Sequence, residues 1–195
     1  MSCVIAIIGG IHSGKSTVSR ILYNYEIPVF DADRELHDLY KKDVSVMQSI
    51  SSVIPWCVDN GNINLTKIKS EIIKNPKILF VLEEITSTLI HNRCRKFIES
   101  QDTKYVILDF PLLLELDYIN MADIIVCVSS YNKKILSRCL NMNSKLFNIL
   151  NKRQIPLHDK EKKSDMIVYN NGSIMNLCKR VICLYSNIDS VGIRL

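Results

Sequence analysis

A three-layer α/β fold with a five-stranded, mostly parallel sheet follows from three observations. Near-continuous apolar runs of strand length recur at residues 3–8, 27–30, 105–108, 123–128 and 166–169. Helix-compatible stretches lie between them. Strands that are apolar on both faces must be covered on both, which is the situation of parallel strands joined through helices. The first run also leads directly into a glycine-bearing loop and then a helical run.

That loop is Gly9-Gly10-Ile11-His12-Ser13-Gly14-Lys15-Ser16, a G-x-x-x-x-G-K-S phosphate-binding loop in its required strand–loop–helix setting. The fold is therefore of the P-loop NTPase type. Glycines let backbone N–H groups close around a polyphosphate, and the following helix adds its unpaired N–H groups. Residues 10–17 (Gly10, Ile11, His12, Ser13, Gly14, Lys15, Ser16 and Thr17) are thus expected to bind a nucleoside triphosphate. Lys15 reaches the β/γ-phosphates, and the Ser16 hydroxyl ligates Mg²⁺. His12 occupies a variable position and reads as a solvent-facing loop residue.

The second strand ends in Asp31-Ala32-Asp33, and a helix starts at about Arg34. Asp33 is placed to orient or deprotonate an acceptor hydroxyl. Helix capping is the other reading of Asp31 and Asp33, because Asp favours that position. Residues 43–101 carry helical periodicity (Ile68, Ile72, Ile73, then Leu79, Leu82, Ile85, Leu89, Ile90) with a turn at Asn60-Gly61-Asn62. They read as an insertion at about 41–101. The third strand ends at Asp109, which can hold Mg²⁺ through water as a Walker-B acid does. After the fourth strand a helix is expected from about 132 to 140. A basic stretch follows and carries Arg138, Lys145, Lys152 and Arg153; it is either a lid at about 136–163 or an exposed helical hairpin. Lys160-Glu161-Lys162-Lys163 reads as a solvated helix face. The last strand stops at Asn170-Asn171-Gly172, and a closing helix runs from about 173 to 184. Ligands of such sheets sit beyond the carboxyl ends of the strands. The loop, Asp31, Asp33, Asp109, Asn170 and Asn171 therefore converge on one cleft.

The bulk numbers agree with one compact domain over residues 1–195, with its core at about 1–40, 102–135 and 164–195. A hydrophobic fraction of 47% and a net charge of +5 suit a globular protein acting on anionic small substrates and give no argument for nucleic acid. Seven cysteines form no C-x-x-C pair, and several lie in apolar runs. They read as reduced core residues, excluding a disulfide framework or a zinc site. The first apolar run is too short for a signal peptide or a membrane span. A cytoplasmic location is expected, without membrane or nucleic-acid partners and with a monomer or weak homo-oligomer as the assembly.

Four segments resemble the dephospho-coenzyme A kinases, P-loop kinases of the nucleoside-monophosphate-kinase type. They are Ile8-Gly9-Gly10-Ile11-His12-Ser13-Gly14-Lys15-Ser16-Thr17; Ile27-Pro28-Val29-Phe30-Asp31-Ala32-Asp33; Leu108-Asp109-Phe110-Pro111-Leu112-Leu113-Leu114-Glu115; and Gln154-Ile155-Pro156 with Lys160, Ser164-Asp165 and Asn170-Asn171-Gly172. Leu82-Glu83-Glu84-Ile85 is a weaker fifth. The resemblance implies ATP-dependent phosphorylation of the ribose 3′-hydroxyl of dephospho-CoA, with ATP and dephospho-CoA as substrates and Mg²⁺ as cofactor. By the same likeness Asp33 is the base, the helical insertion holds the acceptor, and residues 138–157 form the lid. Arg138 matches a lid arginine that stabilises the moving phosphoryl group, a role suited to its planar fork. Asn170 and Gly172 line the adenine end. The chain departs from the family pattern at His12, where glycine is usual, and at Ser87-Thr88, where His-Pro is usual. It also departs at Asn64-Leu65, where Asp-Arg is frequent, and near Met142, where a second lid arginine is missing. Two other readings of the fold remain: another small-molecule P-loop kinase, and a nucleotide-binding pseudokinase with a degenerate lid.

Overall fold

The computed structural model describes residues 2–59, 61–131, 135 and 143–191. The expected helix at 132–140, apart from residue 135, lies outside these residues, as do Arg138 and Met142.

The central strand is β1 (Cys3–Gly9), buried at every position. It is flanked by β5 (Tyr105–Asp109) and β6 (Ile124–Ser129), and the edges are β2 (Val29–Asp31) and β7 (Met166–Tyr169). The order is β2-β5-β1-β6-β7, and every pairing is parallel. The sheet is thus wholly parallel, because every strand is reached through a crossover and none through a tight hairpin. The register sets Asp31 beside Asp109 and Gly9 beside Val128. The carboxyl ends of the inner strands therefore open on one edge.

Side chains alternate across β1 with the period of a strand. Val4, Ala6 and Ile8 enter one core with Leu39, Ile50, Leu82 and Ile90. Ile5 and Ile7 enter the other with Val18, Leu22, Leu177 and Val181. The first core is capped by α2 (Ala32–Lys42), α3 (Val44–Val53) and α5 (Lys77–Glu99). The second is capped by α1 (Lys15–Tyr23) and α8 (Ile174–Val191). Helix α8 turns Leu177, Val181, Leu184 and Ile188 inward at one-turn spacing, each worth about 1.5–3 kcal/mol over exposure.

The insertion is mainly helical. It holds α4 (Leu65–Lys74) and a short antiparallel hairpin of β3 (Val58–Asp59) and β4 (Asn62–Ile63), turned at Gly61 with φ +75°. Asn64 caps α4, accepting from Thr66 N at 3.0 Å and Lys67 N at 3.1 Å. Its amide donates to Asp59 at 2.8 Å. Two short helices, α6 (Ser144–Arg153) and α7 (Leu157–Lys162), fill the region before β7. Pro156 separates them, since its missing N–H breaks the ladder.

Residue Asp109 belongs to its strand, Asp31 closes β2, and α2 starts at Ala32, before the expected Arg34. Lys160 departs from expectation outright: it is 0% exposed and not on a solvated face. A run of charged residues on a helix places one in three or four inward, and here Lys160 meets a buried acid. Every cysteine among the described residues is a free thiol, and Cys3, Cys57, Cys94 and Cys127 are buried. Burial pushes Cys94 to about 12 and Cys127 to about 11, so both remain protonated core groups. No described helix is long and apolar enough to cross a membrane.

Candidate active site

The site is built at the carboxyl end of β1. Gly9 has φ +149°, and a Cβ there would lie 2.4 Å from Val128 O of the neighbouring strand. Only glycine fits this close approach. Gly14, at φ +103°, turns the chain into α1, and Thr17 N and Val18 N donate to its carbonyl at 3.1 Å. Between them Ser13 N closes on Gly10 O at 3.2 Å. His12 is exposed, as expected, and adopts φ +55°. Asn170, just beyond β7, donates its Nδ2 to Ser13 O at 2.8 Å and so pins the loop to a second strand end.

Residue Lys15 is 8% exposed, with Nζ donating to Gly9 O at 3.2 Å and Gly10 O at 2.8 Å. Its ammonium is held below the usual lysine range, chiefly by burial. Asp109 and Asp33 oppose the shift, and Lys160 deepens it. Asp109 is 3% exposed and accepts from Ser19 Oγ at 3.1 Å through Oδ2. Burial pushes its carboxyl up to about 6, against the pull of Lys15, Ser19 and Ser16. Its Oδ1 is buried without a hydrogen-bond partner among the described residues.

The two aspartates of Asp31-Ala32-Asp33 are placed differently. Asp31 is the cap of α2, accepting from Arg34 N at 2.9 Å. Asp33, in the first turn, reaches the cleft wall instead. Its carboxylate meets solvent there, yet the surrounding protein raises its pKa by desolvation, with Lys15 opposing and Asp31 adding to the shift.

The cleft encloses about 740 Å³. Ile11, His12, Gly14, Lys15, Ser16 and Thr17 form its floor, Asp33 one wall, and Asn170 and Gly172 the far end. Gly10 and Ser13, also expected to bind the nucleotide, do not line the cleft. Asp109 sits beneath it and is absent from the cleft wall. A smaller cavity of about 80 Å³ shares Asp33, Glu83, Pro111 and Leu112 with the cleft and reaches Thr86 and Ser87. Ser87 thus lies near Asp33, away from the loop.

Two ion pairs around the cleft and the loop join positions that the sequence reading left apart. Arg153 grips Glu83 through Nε at 3.0 and 2.8 Å and through NH2 at 2.8 Å, with the two side chains 17% and 15% exposed. The guanidinium carbon lies 5.6 Å from the Phe80 ring centroid. This pair joins α6 to α5 across the cleft mouth. The other is Lys160–Glu115, at 2.8 Å and buried. Glu83, Glu115 and Lys160 lie within or beside the recognised segments, but nothing in the order of residues pairs positions this distant.

A phosphate-binding loop beneath a deep cleft, with a lysine in its floor and a carboxylate in its wall, defines a P-loop phosphotransferase. A family model for dephospho-CoA kinase matches residues 3–176. The dephospho-CoA kinase of Bartonella quintana is 31% identical over 192 residues, covering 95% of this chain and 97% of the relative. That of Fusobacterium nucleatum is 32% identical over 183 residues, covering 91% and 94%. The solved structure of the Campylobacter jejuni dephospho-CoA kinase shares the fold at TM-score 0.71 and 19% identity, over 99% of this chain and 100% of the other. The chain belongs to the dephospho-CoA kinase family, ATP-using kinases of the last step of coenzyme A biosynthesis.

Proposed function

We propose that this chain moves the γ-phosphoryl group of ATP to the ribose 3′-hydroxyl of dephospho-CoA, with Asp33 as the base. The observation that carries the assignment is the position of Asp33. It alone, of the acidic residues of the second strand end, faces the same cleft as Lys15 and Ser16, and it also borders the smaller cavity. Its raised pKa makes it a better proton acceptor than an ordinary carboxylate. Asp33 takes the hydroxyl proton as the oxygen bonds to the γ-phosphorus, the bridging P–O bond breaks, and ADP leaves. Lys15 meets the negative charge on the β/γ oxygens, having left the carbonyls of Gly9 and Gly10.

The residues fit a Mg²⁺ ion. Ser16 presents its hydroxyl to the cleft, and Asp109 Oδ1 is a buried acceptor with capacity to spare. Mg²⁺ keeps most of its waters and needs only one or two protein groups. When bound, it would offset negative charge on the β- and γ-phosphates. Asn170 and Gly172 flank the adenine end. The insertion at 41–101 holds the acceptor; of the lid expected at 136–163, the part before α7 covers the site, with Arg138 as its transition-state cation, since α7 packs on β1 and β6 and buries Lys160. Arg153 is the described arginine nearest that task. The protein acts in the cytoplasm, a reading supported by its free buried thiols, and as a monomer or weak homo-oligomer.

The test is ADP release with ATP, Mg²⁺ and dephospho-CoA, against adenosine, AMP and shikimate as control acceptors, with CoA identified as product. Phosphorylation of dephospho-CoA alone is expected. Transfer to a control acceptor instead, or ATP binding without transfer to dephospho-CoA, overturns the assignment.

A further inference from the structure

Residue Lys160 is the largest side chain that the fold buries completely, and its ammonium is surrounded. It lies 2.8 Å from Glu115 Oε1, 3.1 Å from Pro111 O, 3.4 Å from Gly9 O and 3.5 Å from Gln154 Oε1. Glu115 Oε1 also accepts from Ile155 N at 2.9 Å. Three separate backbone segments meet here: the start of the phosphate-binding loop, the segment after β5, and the link between α6 and α7.

A buried ion pair is a poor device for stability alone, because desolvating both charges offsets their attraction. The partners of Lys160 indicate another use. The carbonyl of Gly9 accepts from both Lys15 and Lys160. On its other side, Gly9 is pressed against Val128 O. When Lys15 turns to a phosphate, Lys160 keeps that carbonyl hydrogen-bonded and the loop in place.

We propose that Lys160 is a positioning residue: its buried ammonium, neutralised by Glu115, fixes the Gly9 carbonyl and so the shape of the phosphate nest. It touches no substrate. The inference rests on the reading of the loop as the ATP site, and it couples that loop to the chain leading from α6.

Two neutral double variants separate placement from stability. E115Q/K160M removes both charges and the donor, and it leaves an acceptor for Ile155 N. E115Q/K160Q removes both charges and keeps a donor. The affinity for MgATP and for dephospho-CoA is read by calorimetry on the whole protein, beside thermal melting. E115Q/K160M should bind MgATP about tenfold more weakly, the loss of roughly one hydrogen bond from a charged donor. Its affinity for dephospho-CoA should stay within about twofold, and E115Q/K160Q should recover most of the MgATP loss. Parental MgATP affinity in E115Q/K160M overturns the proposal, as does equal weakening of both ligands. If E115Q/K160M does not fold, E115Q/K160Q decides the matter, and a tenfold loss of MgATP affinity there overturns the proposal. Binding is read apart from turnover, so a parent that binds ATP and fails to phosphorylate dephospho-CoA refutes the proposed function and leaves this test intact.

Discussion

Replacing Gly9 by alanine isolates a position where the loop has no room for a side chain. The new Cβ would sit 2.4 Å from Val128 O and 2.8 Å from Ser13 Oγ. The first neighbour is backbone, locked in the β1–β6 ladder, so it cannot step aside. Overpacking of this kind costs about 1–3 kcal/mol. The backbone at φ +149° adds on the order of 1–3 kcal/mol for an L residue. Together they give about 4 kcal/mol, or a fall in melting temperature of roughly 8–16 °C for a chain of this size. Gly10 is the control: a Cβ there meets nothing within 4 Å. Gly10→Ala should therefore stay within about 0.5 kcal/mol of the parent. Urea and thermal denaturation without nucleotide, followed by circular dichroism, measure both. Gly9→Ala within about 1 kcal/mol of the parent, or equal losses at the two positions, would refute the assignment of strain to Gly9.

Further consequences can be measured on the same preparations. Asp33→Asn should lose about 10²–10⁴-fold in turnover with MgATP affinity nearly unchanged; comparable losses in both would make Asp33 a binding residue. Lys15→Ala should abolish detectable transfer and weaken MgATP binding, and a calorimetric titration matching the parent would contradict the phosphate contact. Glu83 and Arg153 should show a coupling of about 1–3 kcal/mol in a double-mutant cycle read by urea denaturation; additive single losses would mean that the pair contributes nothing as a pair. Asp109 gives a pH test, made with EDTA present. Its carboxyl titrates near 6 in the fold against an ordinary 3.8. Its contribution is therefore fully favourable below 3.8 and lost as pH rises through 6, amounting to about 3 kcal/mol at pH 8. Asp109→Asn should accordingly gain stability relative to the parent between pH 4 and pH 8, and a difference independent of pH would show that Asp109 does not titrate there.

The sheet was legible because β1, β5 and β6 are apolar on both faces, a pattern that only a covered parallel sheet explains. The loop was legible because its glycines are demanded by backbone geometry that the motif itself encodes, as Gly9 and Gly14 show. Lys160 was misread because local sequence reports charge and not the distant partner. Glu115 lies 45 residues upstream, and only the packing of α7 against β1 and β6 brings them together. Arg153 and Glu83 were hidden for the same reason, since they lie 70 residues apart and meet only in the folded chain. Ser87 and Asn64 stood out as departures, but their sequence positions did not separate them. Asn64 is a helix cap remote from the cleft lining, and Ser87 borders the cavity next to Asp33.

With Asp33 as the proposed base, the division between Asp31 and Asp33 lets one short segment serve both fold and chemistry. A helix beginning at a strand end leaves its first N–H groups without partners, and one carboxylate must satisfy them. Asp31, extended at φ −106° and ψ 103°, does so from the last position of β2. Asp33 is thereby released from capping, although it stands in the same first turn. It lines the cleft instead, as Lys15 does, and the positive charge of Lys15 opposes the rise in its pKa. The cap needs a fixed carboxylate, and the base needs one that can take a proton. Separate residues allow both, because hydrogen bonding to backbone N–H groups would hold a single carboxylate ionised and lower its basicity.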